Sequence, residues 1–191
     1  MITRMMKLLG VVILISSSGI FQLAQASDEA TLGLGFATFG AYGNGAMQGV
    51  KGYSLNYESG PRKGYLRPVL TGSLMYASGT SSSLGAVKAY IGDVGLGGSL
   101  YLSKPSYCTP YIHAVAKLGW ASVTGNGGAS PTDSNIGLTY GISIAGGLSF
   151  RFKDDSDSKA ITIGSSFNVL QSTVTTATSL TNFQIFAGVL F

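Results

Sequence analysis

The sequence predicts an all-β protein, a closed, up-and-down antiparallel transmembrane β-barrel of about eight strands, and three observations carry that prediction. The first is composition: 45% of the 191 residues are hydrophobic, but only 10% are charged and 28 are glycine. An average soluble domain has about 25% charged residues and about 7% glycine. The second is a mean hydropathy of +0.32 with no continuous apolar run beyond the N-terminus that approaches the ~18 residues of a membrane helix. The third is a period of two in the apolar residues, repeated along most of the chain. The glycines have no three-residue period and prolines number 5, which excludes a collagen-like chain. With 10 Tyr, 9 Phe and so few charges, the chain is not of the disordered class.

Residues 1–26 read as a cleaved secretory signal peptide and residues 27–191 as a single barrel domain. Arg4 and Lys7 form a positive start, Leu8 to Ile15 an apolar stretch, and Ala24-Gln25-Ala26 a small-x-small site, so cleavage is expected between Ala26 and Ser27. A retained anchor helix is disfavoured because the run is short and broken by Ser16, Ser17 and Ser18. Cys108, the single cysteine, stands far from any lipid-attachment position. Loss of Arg4 and Lys7 lowers the formal charge from +4 to +2, so the pI of 9.2 overstates how basic the mature chain is. It implies no nucleic-acid partner.

The alternating segments follow in order. The first, from Thr31 to Gly40, sets Leu32, Leu34 and Phe36 against Gly33, Gly35 and Ala37. The second, about 49 to 58, sets Tyr53, Leu55 and Tyr57 against Gly52, Ser54 and Asn56. In the third, about 64 to 77, Leu66, Pro68, Leu70, Leu74 and Tyr76 oppose Arg67, Thr71 and Ser73. In the fourth, about 87 to 102, Val94, Leu96, Leu100 and Leu102 oppose Asp93, Gly95, Gly97 and Ser99. The fifth, about 110 to 123, places Ile112, Ala114, Ala116, Leu118 and Trp120 opposite His113, Lys117, Gly119 and Ala121. The sixth has Leu138, Tyr140, Ile142, Ile144, Leu148, Phe150 and Phe152 on one face, with small residues and Arg151 on the other. The seventh, about 160 to 171, and an eighth ending in Phe183, Ile185, Ala187, Val189 and Phe191 complete the series.

Breaker-rich connections separate the segments. Those at 42–48, 78–85, 125–135 and 172–179 read as long, and those at 59–63, 103–109 and 153–158 as short. This alternation of long outer loops with short periplasmic turns is expected of a bacterial outer-membrane barrel. The face opposite the large apolar residues is Gly, Ser, Ala and Thr with few charges. That is a poor surface for a soluble barrel but suits the cramped interior of a narrow one. The apolar face is therefore expected to meet lipid. Tyr57, Tyr65, Tyr76, Tyr90, Trp120 and Tyr140, near strand ends, supply its aromatic girdles.

The closing segment from Asn182 to Phe191, alternating and ending in Phe, resembles the C-terminal insertion signal of bacterial outer-membrane barrels, with Phe183, Ile185, Val189 and Phe191 as its apolar positions. The mature chain as a whole is similar to the small eight-stranded class that includes the transmembrane domain of outer membrane protein A and OmpX. The resemblance implies assembly by the barrel assembly machinery, outer-membrane lipid as surroundings, a bacterial outer-membrane location, a monomer and no cofactor. It leaves activity open, because the class hosts pores, anchors, adhesins and lipid-modifying enzymes.

Two functions from different classes follow: a structural or narrow-pore, porin-like barrel, or an outer-membrane acyltransferase or deacylase. The latter resembles enzymes that use a His with a nearby Ser and an acid. Here the single histidine, His113, lacks the His-x-Ser spacing because Val115 follows Ala114, and parity turns it inward. No catalytic residue is therefore assigned. Asp154, Asp155 and Asp157 lack the spacing of a calcium loop, so no metal is expected. Gly33-Leu34-Gly35 and Gly95-Leu96-Gly97 lack the following helix of a nucleotide site. Cys108 has no partner for a disulfide within the chain. What remains is a lumen charge cluster: by parity Glu58, Arg67, Asp93, Lys117 and Arg151 all point inward. Such charges persist only if paired or hydrated, which makes the cluster either an interior network or a charged constriction.

Overall fold

The structure, a computed structural model, describes residues 29–40, 47–61, 65–81, 84–103, 107–125, 135–152, 159–174 and 177–190. The expected signal peptide with its Ala26/Ser27 junction, the turn holding Asp154, Asp155 and Asp157, and Phe191 lie outside the described residues. Eight strands, β1 (Glu29–Phe39), β2 (Lys51–Gly60), β3 (Leu66–Ser81), β4 (Gly85–Tyr101), β5 (Cys108–Gly125), β6 (Asn135–Arg151), β7 (Ala160–Ser172) and β8 (Asn182–Leu190), follow in chain order. Each pairs antiparallel with its neighbour, and β8 returns to β1 to close the barrel. Closure pairs every strand on both sides, so no sheet edge is left.

Alternation decides the faces. Outward positions carry large apolar side chains that remain exposed, among them Leu34, Leu66, Leu96, Leu138 and Ile163. The inward positions between them are buried and mostly small or polar. Among the described residues no helix is long and apolar enough to cross a membrane; the regular elements are strands. Outward aromatics meet across strands, with Phe36 and Tyr53 rings 5.6 Å apart and those of Tyr76 and Tyr90 5.1 Å apart.

Two boundaries depart from the sequence-based expectation. The segment 78–85 is not a long loop: β3 and β4 stay paired up to Ser81 and Gly85. Ser and Gly side chains give no apolar alternation there, but pairing uses the backbone, and Gly85 at φ 64° makes the turn. Cys108 is not in a turn either; it opens β5 opposite Phe150, exposed.

The interior divides in two along its axis. Toward the end where β1 starts it is polar and charged. Toward the opposite end, inward Phe39, Met75, Val87, Ile91, Val123 and Leu170 join Met47, Val50, Val174 and Leu180 from the β1–β2 and β7–β8 connections in one buried apolar cluster. Leu180 is held there by its N–H donating to the Leu170 carbonyl at 2.8 Å. A Gly- and Ser-lined lumen thus describes the polar half alone.

Candidate functional site

The charged side chains form three levels inside the polar half. Nearest the β1-start end, Glu29 accepts from Arg67 Nη1 at 3.2 Å and from Arg151 Nη2 at 2.8 Å. All three are almost fully buried, and the Arg67 guanidinium lies 3.9 Å over the Tyr101 ring, a cation–π contact. One level further in, His113 Nδ1 stands 3.4 Å from Glu58 Oε2, with the Tyr111 ring alongside the imidazole. Nearest mid-depth, Lys117 Nζ lies 3.0 Å from Asp93 Oδ1, and Ser73 Oγ donates to Asp93 Oδ2 at 2.8 Å.

These long side chains fit because their cross-strand neighbours are small. Lys117 sits between Gly95 and Gly141, Asp93 between Ser73 and Gly119, and His113 between Ser99 and Ala145. A Cβ on Gly95 would stand 3.2 Å from Lys117 Cγ and 2.5 Å from Thr71 Oγ1, so that position needs glycine for room rather than for backbone freedom. Beside the ion pairs run two amide networks. Gln184 and Asn56 both donate to Ser54 Oγ, and Asn168 donates to Ser166 Oγ at 3.2 Å and to Asn182 Oδ1 at 3.0 Å. Between these groups lies a cavity of about 70 Å³, lined by Glu58, Thr71, Ser73, Tyr111, His113 and Lys117 among others. That is room for several waters.

All five residues assigned to the lumen by parity, Glu58, Arg67, Asp93, Lys117 and Arg151, therefore point into the barrel, but they do not form one cluster. Arg67 and Arg151 share a level, Asp93 and Lys117 another, and Glu58 stands with His113. The acid that joins the arginines, Glu29, was absent from the sequence-based set because the first alternating run was started at Thr31. Glu29 shares the parity of Thr31 and Gly33, so extending the run by one period would have found it. Of the closing-strand positions, Phe183, Ile185 and Val189 face outward and exposed. Among the described residues, three inward carboxylates, Glu29, Glu58 and Asp93, match three inward cations, Arg67, Lys117 and Arg151. No group of three or more His, Cys, Asp or Glu suited to a metal occurs among them.

Solved structures of small outer-membrane barrels resemble this closed eight-stranded fold. Neisserial surface protein A (NspA) superposes with a TM-score of 0.60 at 20% identity, over 85% of this chain and 94% of that one. Ail, the attachment invasion locus protein of Yersinia pestis, matches at 0.45 and 16% identity over 85% and 98% of the two chains. The N-terminal β-barrel domain of Pseudomonas aeruginosa OprF matches at 0.45 and 10% over 86% and 98%. No family model matches the sequence, and no curated protein does.

Proposed function

We propose that the protein is an integral bacterial outer-membrane barrel with a structural, loop-presenting role, its interior a sealed core rather than a standing pore. One observation carries this: the apolar cluster from Phe39 to Leu180 fills the loop end, while Arg67, Glu29 and Arg151 cross the other. Ions leaving the mid-depth cavity would have to enter either an apolar plug or a buried layer in which two guanidinium groups share one carboxylate and leave a net positive charge. The outward apolar face takes outer-membrane lipid, the strand ending at Phe191 is read by the barrel assembly machinery, and the barrel works as a monomer without cofactor. Lipid-modifying catalysis fits less well, because His113 is buried inside beside Glu58, away from the lipid-facing surface.

Planar-bilayer recording of the purified protein tests the sealed core. The expected result is no steady unitary conductance. A stable channel whose ion selectivity changes on Lys117→Ala would overturn it in favour of the narrow-pore reading, which the hydratable cavity beside Lys117 supports.

A further inference from the structure

The outward face of the loop end carries an ordered polar row. Strand register sets Thr38, Lys51, Ser78, Lys88 and Thr124 side by side across β1 to β5. Hydroxyls and ammonium groups alternate along it, and Lys51, Ser78 and Lys88 are exposed. Two residues toward mid-barrel on the same strands lies a second row, Phe36, Tyr53, Tyr76 and Tyr90. Rows two residues apart are separated by roughly 6.6 Å, and the two lysines, two strands apart, by roughly 10 Å at the backbone. On the other side of β1 the polar row gives way at once to Phe183, which pairs with Thr38. The cations at this end are thus confined to one sector among the described residues.

We propose that this sector is a binding site for the phosphate groups of an outer-leaflet lipid, with the lipid's acyl chains lying on the aromatic and aliphatic rows beneath. Charge complementarity selects this occupant. Every carboxylate among the described residues, Glu29, Glu58 and Asp93, points into the barrel and is engaged there. No acid on the described outer face therefore competes for Lys51 or Lys88. Their long stems can lie along the apolar wall while the ammonium groups reach headgroup level, with Ser78 adding a hydroxyl donor between them and Thr38 and Thr124 one on either side. A cation of this kind near an anionic lipid surface strengthens binding roughly fivefold, hence roughly twenty-five-fold for two. The site rests on the reading of the chain as an outer-membrane barrel.

The test folds the chain into phosphatidylcholine nanodiscs doped with either bis-phosphorylated or dephosphorylated lipid A and counts retained lipid by native mass spectrometry. The wild type is expected to retain the phosphorylated form preferentially, and less so as salt is raised. Lys51→Gln with Lys88→Gln should lose roughly twenty-five-fold of that preference, Lys51→Arg with Lys88→Arg should keep it, and Lys159→Gln at the opposite end should leave it unchanged. A double variant that retains lipid like the wild type, or a wild type indifferent to phosphate, overturns the site while leaving the membrane reading intact. A chain that enters no bilayer of any composition overturns both.

Discussion

Glu29→Gln is the sharpest probe of how dry the ion-pair layer is. Glu29 is bonded to both Arg67 and Arg151, at 3.2 and 2.8 Å, and all three groups are almost wholly buried. Glutamine keeps the shape and one acceptor oxygen but turns an amide toward the second guanidinium and removes the negative charge that Glu29 supplies to both. Breaking a buried pair this way costs roughly 3–5 kcal/mol, or two to three and a half powers of ten in the unfolding constant. Asp93→Asn is the internal comparison. Lys117 there borders the cavity of about 70 Å³, against about 20 Å³ beside Glu29 and Arg67, so water can more readily replace the lost carboxylate charge. The cost should fall to roughly that of one charged hydrogen bond, about 1.5–3 kcal/mol. Equilibrium urea unfolding of the barrel in micelles reads both. Adding Arg151→Gln to Glu29→Gln removes both ends of one contact, so the double variant should lose less than the sum of the single losses. A Glu29→Gln loss below that of Asp93→Asn, or strict additivity with Arg151→Gln, would refute a dry layer centred on Glu29.

Two further outcomes test the ends of the chain. The N-terminus of the membrane-fraction protein should be Ser27, which Edman sequencing reads directly, and an intact Met1 there would refute cleavage after Ala26. Deleting Phe191 should leave unassembled protein in the periplasm, seen by fractionation and loss of the heat-modifiable gel band; normal insertion would remove Phe191 from the assembly signal.

The barrel itself was legible because a strand's side chains alternate and a single face of this one is large and apolar. From Leu138 to Phe150 the two faces barely mix, and β6 has the span that alternation implies. Where both faces are small, as from Ser78 to Ser81, composition resembles a loop and the pairing that extends β3 to Ser81 was hidden. Inward direction could be read residue by residue, but partners could not. Which charges share a level depends on cross-barrel distances, and Glu29 and Arg151 are 122 residues apart in sequence. The apolar plug had a signal that charge drew attention from: Met75, Val87, Ile91 and Val123 carry the same parity as Arg67, Asp93 and Lys117.

The interior charges also bear on register. Paired buried ions rarely stabilise more than apolar packing of the same volume, yet an apolar interior throughout would give both faces of each strand the same character. Register is then weakly specified, since a one-residue slip exchanges the faces. In the polar half a slip of β5 would turn Lys117 toward lipid, costing roughly 2–4 kcal/mol near the midplane, and the same slip would strand Asp93 and Glu58 inside without their partners. In the apolar half, Val87, Ile91 and Val123 inside face Tyr90, Leu118 and Trp120 outside, and polarity discriminates far less. There the β3–β4 hairpin, paired to Ser81 and Gly85 and turned by a positive-φ glycine, fixes the register by geometry instead. Charge thus discriminates the alignment in the polar half, and the closely paired β3–β4 hairpin pins it in the apolar half.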